Sequence, residues 1–125
     1  MVKALISALL ALAIIVTGSA LETFYVQKTL SEINVELTAL YSKVESETAT
    51  EESVSNVKEQ WFKKKEMLHS FIPHNEIKEV DLWISETETL VKNKEYKDAL
   101  SKINVCIQLT EQISKTFSLR IENIL

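Results

Sequence analysis

The sequence predicts an all-α protein: an N-terminal transmembrane helix followed by an antiparallel bundle of about four helices, arranged as two helical hairpins. Three observations predict it. The 125 residues include one glycine and one proline, whereas β-turns depend on residues that pre-set a turn or tolerate positive φ. The segment Ala4–Leu21 is apolar and uncharged. From residue 30 onward, apolar side chains recur every three to four positions, as on one face of a helix.

The first element, residues 1–21, is predicted to be a transmembrane anchor, and residues 22–125 form the bundle. Eighteen helical residues from Ala4 to Leu21 span about 27 Å, which is just enough for the hydrocarbon core. About nine strongly apolar residues at roughly −0.5 kcal/mol each favour insertion by only about 4 kcal/mol. The small residues 18–20 suit a cleaved signal peptide instead, whereas Phe24 and Tyr25 suit the interfacial aromatic belt of an uncleaved anchor. The uncleaved anchor is favoured.

Lys3 sets the predicted orientation. It is the only charged side chain before residue 22, and positive charge beside an apolar segment favours the cytoplasmic side. Both alternatives therefore place the bundle outside the cytoplasm. An uncleaved anchor makes the chain a single-pass protein of the cell membrane.

The first bundle helix is predicted over residues 22–47. Its buried seam alternates three- and four-residue steps, through Leu30, Ile33, Leu37, Leu40 and Val44. Residues 46–53 are polar and acidic and predict a connection, in which Thr50 is a candidate N-cap for the second helix. That helix is expected to end near Pro73, because proline removes a backbone donor and restricts the residue before it. Its predicted buried stripe is Val54, Val57, Trp61, Leu68 and either Phe71 or Ile72.

The third helix is predicted to start with Asn75 as its cap and to end at a short turn over residues 93–95. Its inward residues are Ile77, Val80, Ile84 and Val91, with Trp83 and Leu90 beside them. The fourth helix runs nearly to the end of the chain. Its predicted stripe is Tyr96, Leu100, Ile103, Ile107, Ile113, Phe117 and Ile121. A faint repeat with an offset of 46 relates the region from Val44 to the region from Leu90.

Four features are candidates for chemistry or binding. His69, His74 and Glu76 are the best candidates for metal ligands, but zinc sites use three or four converging ligands, so no metal site is predicted. Trp61, Phe62 and Trp83 are interaction candidates because tryptophan and other aromatic residues dominate interfaces, although filling the core is the ordinary role of a tryptophan in such a stripe. Phe62 adjoins a basic cluster formed by Lys58, Lys63, Lys64 and Lys65. Cys106, the only cysteine, is interpreted as a small buried apolar residue.

The predicted function is that of a membrane-anchored extracytoplasmic accessory or interaction module. The net charge of −4 argues against nucleic acid as a partner, because binding to phosphates needs a basic surface. No phosphate-binding loop, nucleophile elbow or His-Glu-x-x-His pattern is present, so an enzyme is not predicted, nor any cofactor. Membrane lipid is the expected partner of the anchor, together with another integral membrane protein. The alternative is a ligand- or metal-binding bundle, secreted or anchored.

The chain also resembles an uncharacterised family of short proteins from Gram-positive, largely spore-forming bacteria. The resemblance is carried by Trp-x-x-x-Lys from Trp61, by the segment 71–77 (Phe-Ile-Pro-His-Asn-Glu-Ile) and by the closing residues 122–125. It departs from the family pattern at residues 48–53. The resemblance implies an N-terminal membrane segment, a helical remainder and an integral membrane partner, with no established activity.

Overall fold

The computed structural model describes residues 1–124, without the side chains of Ile121 and Ile124; the core position predicted for Ile121, and Leu125, lie outside the described part. The described residues form four helices and no strand, which confirms the all-α prediction. The helices are α1 (Val2–Glu45), α2 (Glu51–Leu68), α3 (His74–Lys92) and α4 (Tyr96–Ile124).

Helix α1 is one uninterrupted element of 44 residues, so the predicted border at residue 21 is not a break in secondary structure. No proline interrupts it, and Gly18 leaves its backbone helical. Its first half is exposed, whereas its second half, beginning with the fully buried Val26, lies in the bundle. A single rigid rod therefore joins the apolar segment to the core.

The bundle is a closed ring of antiparallel helices in which α1 packs against α2 and α4, and α3 packs against the same two helices. Within the bundle each helix has one apolar face, and the four apolar stripes bury one another. The predicted seams of α1 and α3 are buried as expected. Trp61 is the largest fully buried side chain of the core.

The α1–α2 turn and the α3–α4 turn both form without glycine. Glu47 and Lys94 adopt left-handed backbone conformations, with φ of 58° and 59°. In the second of these turns the Glu95 N–H donates to the Leu90 carbonyl at 2.8 Å, satisfying a carbonyl at the end of α3. The predicted cap is confirmed at Thr50, whose hydroxyl accepts from the Ser53 N–H at 3.3 Å.

Two predicted helix boundaries between α2 and α3 are wrong. Helix α2 ends at Leu68, well before Pro73, and Pro73 itself, not Asn75, is the N-cap residue of α3. Pro73 suits that position because it has no N–H to leave unsatisfied and its ψ of 138° is extended. Between the two helices the chain folds into a turn that buries Ile72 and leaves Phe71 partly covered.

The predicted stripe of α4 is also partly wrong. Leu100 and Ile107 lie at its edges and are only partly buried. The stripe that faces the core is centred on smaller residues, and its members are Ala99, Ile103, Cys106, Thr110, Ile113 and Phe117. Ile103, Ile113 and Phe117 were predicted correctly, whereas at the positions of Leu100 and Ile107 the core is instead contacted by the smaller neighbours Ala99 and Cys106.

The two hairpins share one burial pattern. Leu30 to Val44 in α1 match Ile77 to Val91 in α3, at an offset of 77 − 30 = 47. Positions in α2 and α4 are related by 45, as with the buried pair Val54 and Ala99 (99 − 54 = 45). The offset of 46 in the sequence lies between these two values, because the second connection, residues 93–95, is two residues shorter than residues 46–50.

Candidate interaction surfaces

The first half of α1 is an apolar surface that the bundle does not cover. None of the residues in its most apolar 18-residue window is buried, and the helix is long and apolar enough to cross a membrane. A signal sequence meets the same criteria. The uncovered surface ends sharply, because Leu21 is 64% exposed and Val26 is not exposed at all.

The end of the bundle next to this apolar segment, the basal end, comprises residues 22–25 of α1, residues 66–74 from the end of α2 to the start of α3, and residues 119–122 of α4. Tyr25 Oη donates to Met67 Sδ at 3.0 Å, which places the end of α2 beside the start of the buried part of α1. Gln27 Nε2 donates to the Ser114 carbonyl at 2.9 Å, which sets the register of α4. Four large apolar or aromatic side chains are exposed here: Phe24, Tyr25, Met67 and Leu119.

His69 and His74 lie at the basal end, where their rings stack with centroids 5.2 Å apart. Both are exposed, whereas Glu76 is partly buried on α3. Among the described residues, no three histidine, cysteine, aspartate or glutamate side chains come together to hold a metal ion. Two stacked imidazoles without a third ligand are a poor zinc site, because zinc binds through three or four converging groups.

We predict that zinc does not bind to the His69–His74 pair. Titration of zinc into the detergent-solubilised chain at micromolar concentration should give no heat beyond that of dilution. A His69→Ala, His74→Ala double variant is the matched control. Binding heat that this variant loses would show that the pair is a metal site after all.

Trp61 is not at the surface, because its side chain is fully buried. Its Nε1–H donates to Asp81 Oδ1 at 2.5 Å, and Lys65 Nζ donates to Asp81 Oδ2 at 2.8 Å. The Asp81 carboxylate therefore links the indole of α2 to a lysine of the same helix. Charge-assisted hydrogen bonds of this kind fix the position of a large side chain. Trp61 serves the α2–α3 interface inside the chain.

Phe62, one residue later, lies on the surface of the α2–α3 seam and is 40% exposed. Lys65 Nζ is 4.2 Å and Lys58 Nζ 5.7 Å from its ring centroid. Lys58 also lies 3.6 Å from Glu88, so the ring stands between two interhelical ion pairs. The result is an exposed aromatic ring with cations held around it.

The remaining lysines of the predicted basic cluster are paired separately. Lys64 contacts Glu32 on α1 at 2.8 Å, and Lys63 contacts Glu59 on its own helix at 3.5 Å. The hydrogen bond and charge of Lys64 lower the pKa of Glu32. The four lysines therefore pair with four different acidic residues on three helices and do not form one continuous basic surface.

Trp83 forms a second aromatic–lysine contact, on the α3–α4 seam. It is partly buried, and Lys102 Nζ lies 4.4 Å from its ring centroid. Lys102 also lies 3.2 Å from Glu86. The structure thus separates the three predicted interaction residues into one core residue, Trp61, and two residues on neighbouring seams, Phe62 and Trp83.

A polar seam between α1 and α4 was not predicted. Asn34 Nδ2 donates to Thr110 Oγ1 at 3.4 Å, and the side chains of Gln27 and Ser114 hydrogen-bond to each other. In the sequence these residues appear as ordinary polar positions on two distant helices. Partly buried polar pairs of this kind favour one register of two helices over shifted alternatives.

Cys106 is buried in the core, as predicted. Burial, followed by the nearby charge of Glu86, raises the pKa of its thiol from 9.0 to about 12. The neutral thiol is therefore the stable form in the fold. Unfolding allows ionisation from about pH 9 upward, so this residue's contribution to stability is present below pH 9 and is lost as the pH rises toward 12.

We predict that a maleimide reagent does not label the folded chain at neutral pH. The thiolate is the reactive form, and the Cys106 thiol is both buried and protonated. In urea the same chain should gain one adduct, measured by intact mass. Rapid labelling without denaturant would contradict the buried placement of Cys106.

A groove between α1 and α2 has a volume of about 440 Å³. Its lining includes several charged and polar side chains, among them Glu36, Lys43, Glu52 and Gln60. Small-molecule pockets are mostly apolar with a few placed polar groups. The groove therefore adds no specific observation for a ligand.

The family model described as "Domain of unknown function (DUF4363)" matches residues 21–124. The matched region begins at the last apolar residue of the uncovered segment and covers the whole bundle. No curated protein matches the chain, and no solved structure matches it.

Proposed function

The chain belongs to the DUF4363 family, a domain of unknown function, and we propose that it is a membrane-anchored extracytoplasmic accessory module that binds an integral membrane protein. One observation carries the proposal. Helix α1 is continuous from an uncovered apolar half into the centre of the bundle core. A bundle built on such a rod is held at a fixed height and orientation above a bilayer.

An uncleaved anchor is supported by the residues at the junction. Phe24 is 68% exposed and Tyr25 37% exposed, directly after the apolar segment. Aromatic side chains with this placement suit the interface between hydrocarbon and water. The orientation follows from Lys3, whose charge favours the cytoplasmic side. A Gram-positive, spore-forming host stays a prediction of the family resemblance.

The proposed contact with the partner is the α2–α3 surface around Phe62. An exposed aromatic ring in a polar setting suits the centre of a small interface, where aromatic residues contribute most. Lys58 and Lys65 flank the ring, and because each also pairs with an acid of α3, Glu88 or Asp81, they surround it with a polar, charge-balanced rim. The module itself is proposed to be non-catalytic and without nucleic-acid binding, as its acidic balance and lack of catalytic patterns indicate.

The test is crosslinking in the native membrane, followed by purification in detergent and identification of the captured proteins. We expect an integral membrane protein to be recovered with the wild-type chain and lost with Phe62→Ala. Leu82→Ala, which also removes an exposed apolar side chain from the bundle, is the matched control and should retain the partner. Recovery of the chain alone at native expression would contradict the proposal.

The intact mass of the membrane-extracted chain separates the anchored form from a released one. Retention of residues 1–20 is expected for an anchor, and their loss would indicate a cleaved signal peptide. The competing function, a ligand- or metal-binding bundle, is favoured by no contact among the described residues.

A further inference from the structure

We propose that the basal end of the bundle rests in the headgroup layer of the bilayer, with Met67 and Leu119 immersed beside α1. This inference rests on the proposed membrane anchor and adds a second attachment to it. The basal end thus contacts lipid, and the bundle lies against the membrane instead of being separated from it by water.

The height of each side chain follows from the register of the helices. Gln27 contacts Ser114 across the antiparallel α1–α4 pair. Five residues further along α4, about 7.5 Å, Leu119 lies level with residue 22, directly after the apolar segment. Helix α4 continues to Ile124, about another 7.5 Å, so its backbone ends beside α1 within the apolar segment. The α4 terminus cannot reach that depth without entering the bilayer surface.

Helix α2 reaches the same level from the other side of α1. Tyr25 bonds to Met67, which is 51% exposed. Met67 is followed by the turn 69–73, which continues toward the membrane before α3 turns back. The ends of α2 and α4 thus flank α1 on the side where the anchor leaves the bundle.

Exposed apolar surface is concentrated at this end. Beyond residue 21, seven large apolar or aromatic side chains of the described residues are exposed, and four of them belong to the basal end. The other three, Val35, Phe62 and Leu82, lie further from the apolar segment. The free energy of apolar side chains falls when they move from water into the region where headgroups and acyl chains meet.

The charges at the basal end favour attachment through apolar contact. Glu22, Glu66 and Glu122 lie there together with Arg120, so the balance is acidic and no concentrated basic surface is available for anionic lipid. Binding should therefore occur on neutral phosphatidylcholine and should change little with salt. This distinguishes the proposal from electrostatic adsorption.

The test places a fluorescent label on single introduced cysteines in the full chain, reconstituted in phosphatidylcholine vesicles that carry nitroxide-labelled headgroups. The native Cys106 is buried and does not compete for the label. Met67→Cys and Leu119→Cys report on the basal end. Val35→Cys, about 20 Å beyond residue 22 along α1, is the matched control. Ala11→Cys, in the middle of the apolar segment, reports on the anchor. Quenching of its label is measured in vesicles that carry the nitroxide on the acyl chains.

We expect the labels at 67 and 119 to lose most of their fluorescence, and the label at 35 to keep nearly all of it. Quenching at 11 without quenching at 67 and 119 would overturn this inference and leave the anchor standing. Absence of quenching at 11 would overturn the anchor itself. Equal quenching at 35 and 119 would show a bundle lying on its side, which also contradicts the proposed arrangement.

Discussion

Replacing Trp61 with alanine is expected to lower the free energy of unfolding by about 3–5 kcal/mol. The substitution removes the largest fully buried side chain and leaves a cavity between α2 and its neighbours. It also removes the indole donor to Asp81. Small domains are stable by about 5–15 kcal/mol, so the loss is a large part of the total. Urea unfolding of the full chain in mild detergent, followed by circular dichroism, measures it.

Two variants separate the contributions to this loss. Trp61→Phe keeps most of the apolar volume but removes the hydrogen bond to Asp81, and should cost about 1–3 kcal/mol. Leu82→Ala, at an exposed position, should change stability by less than about 0.5 kcal/mol. A Trp61→Ala variant as stable as Leu82→Ala would mean that Trp61 is outside the core.

Replacing Leu12 with arginine is expected to release roughly half of the protein from the membrane. Insertion of the segment is favoured by about 4 kcal/mol, and a central arginine costs about 2.5–3.5 kcal/mol while also removing the leucine's contribution. The balance is then close to zero. Leu12 is 57% exposed and lies in the uncovered half of α1, so the bundle itself should fold normally. Alkaline carbonate extraction of membranes measures the retained fraction.

Leu12→Ala and Val35→Arg are the matched controls for this experiment. The first removes the same side chain without adding charge, and the second adds the same charge at an exposed position on the bundle. Both should remain in the membrane fraction. If Leu12→Arg is retained as firmly as these two variants, the apolar segment is not what holds the protein.

The sequence predicts the stripes of α1 and α3 well because their buried residues are mostly large and aliphatic. It fails where burial falls on small or polar residues. Thr29, Thr87 and Thr110 are buried, and each hydroxyl donates to a carbonyl of its own helix, such as Thr87 to Trp83 at 2.8 Å. A threonine whose hydroxyl is bonded in this way presents only its methyl group to the core, although a threonine is ordinarily predicted to be exposed to solvent.

The predicted site residues show a similar limit. Trp61 and Phe62 are adjacent, yet one is fully buried and the other 40% exposed, because one residue turns a helix by about 100°. Periodicity places Trp61 correctly in the core, but it does not identify Asp81 as its partner. That partner lies on the next helix, and a carboxylate at such a position is ordinarily assigned to solvent. Pairing across helices depends on register, which short stretches of sequence do not specify.

The proposed attachment to the membrane depends most on α1 being one rigid rod that runs from the bilayer into the bundle. Spin labels at Ala11→Cys and Val35→Cys, in vesicles containing the full chain, test this directly by double electron–electron resonance. Their separation of 24 positions (35 − 11 = 24) predicts one narrow distance of about 36 Å along the helix. A broad distribution, or a clearly shorter distance, would show a hinge between the anchor and the bundle and would contradict the account.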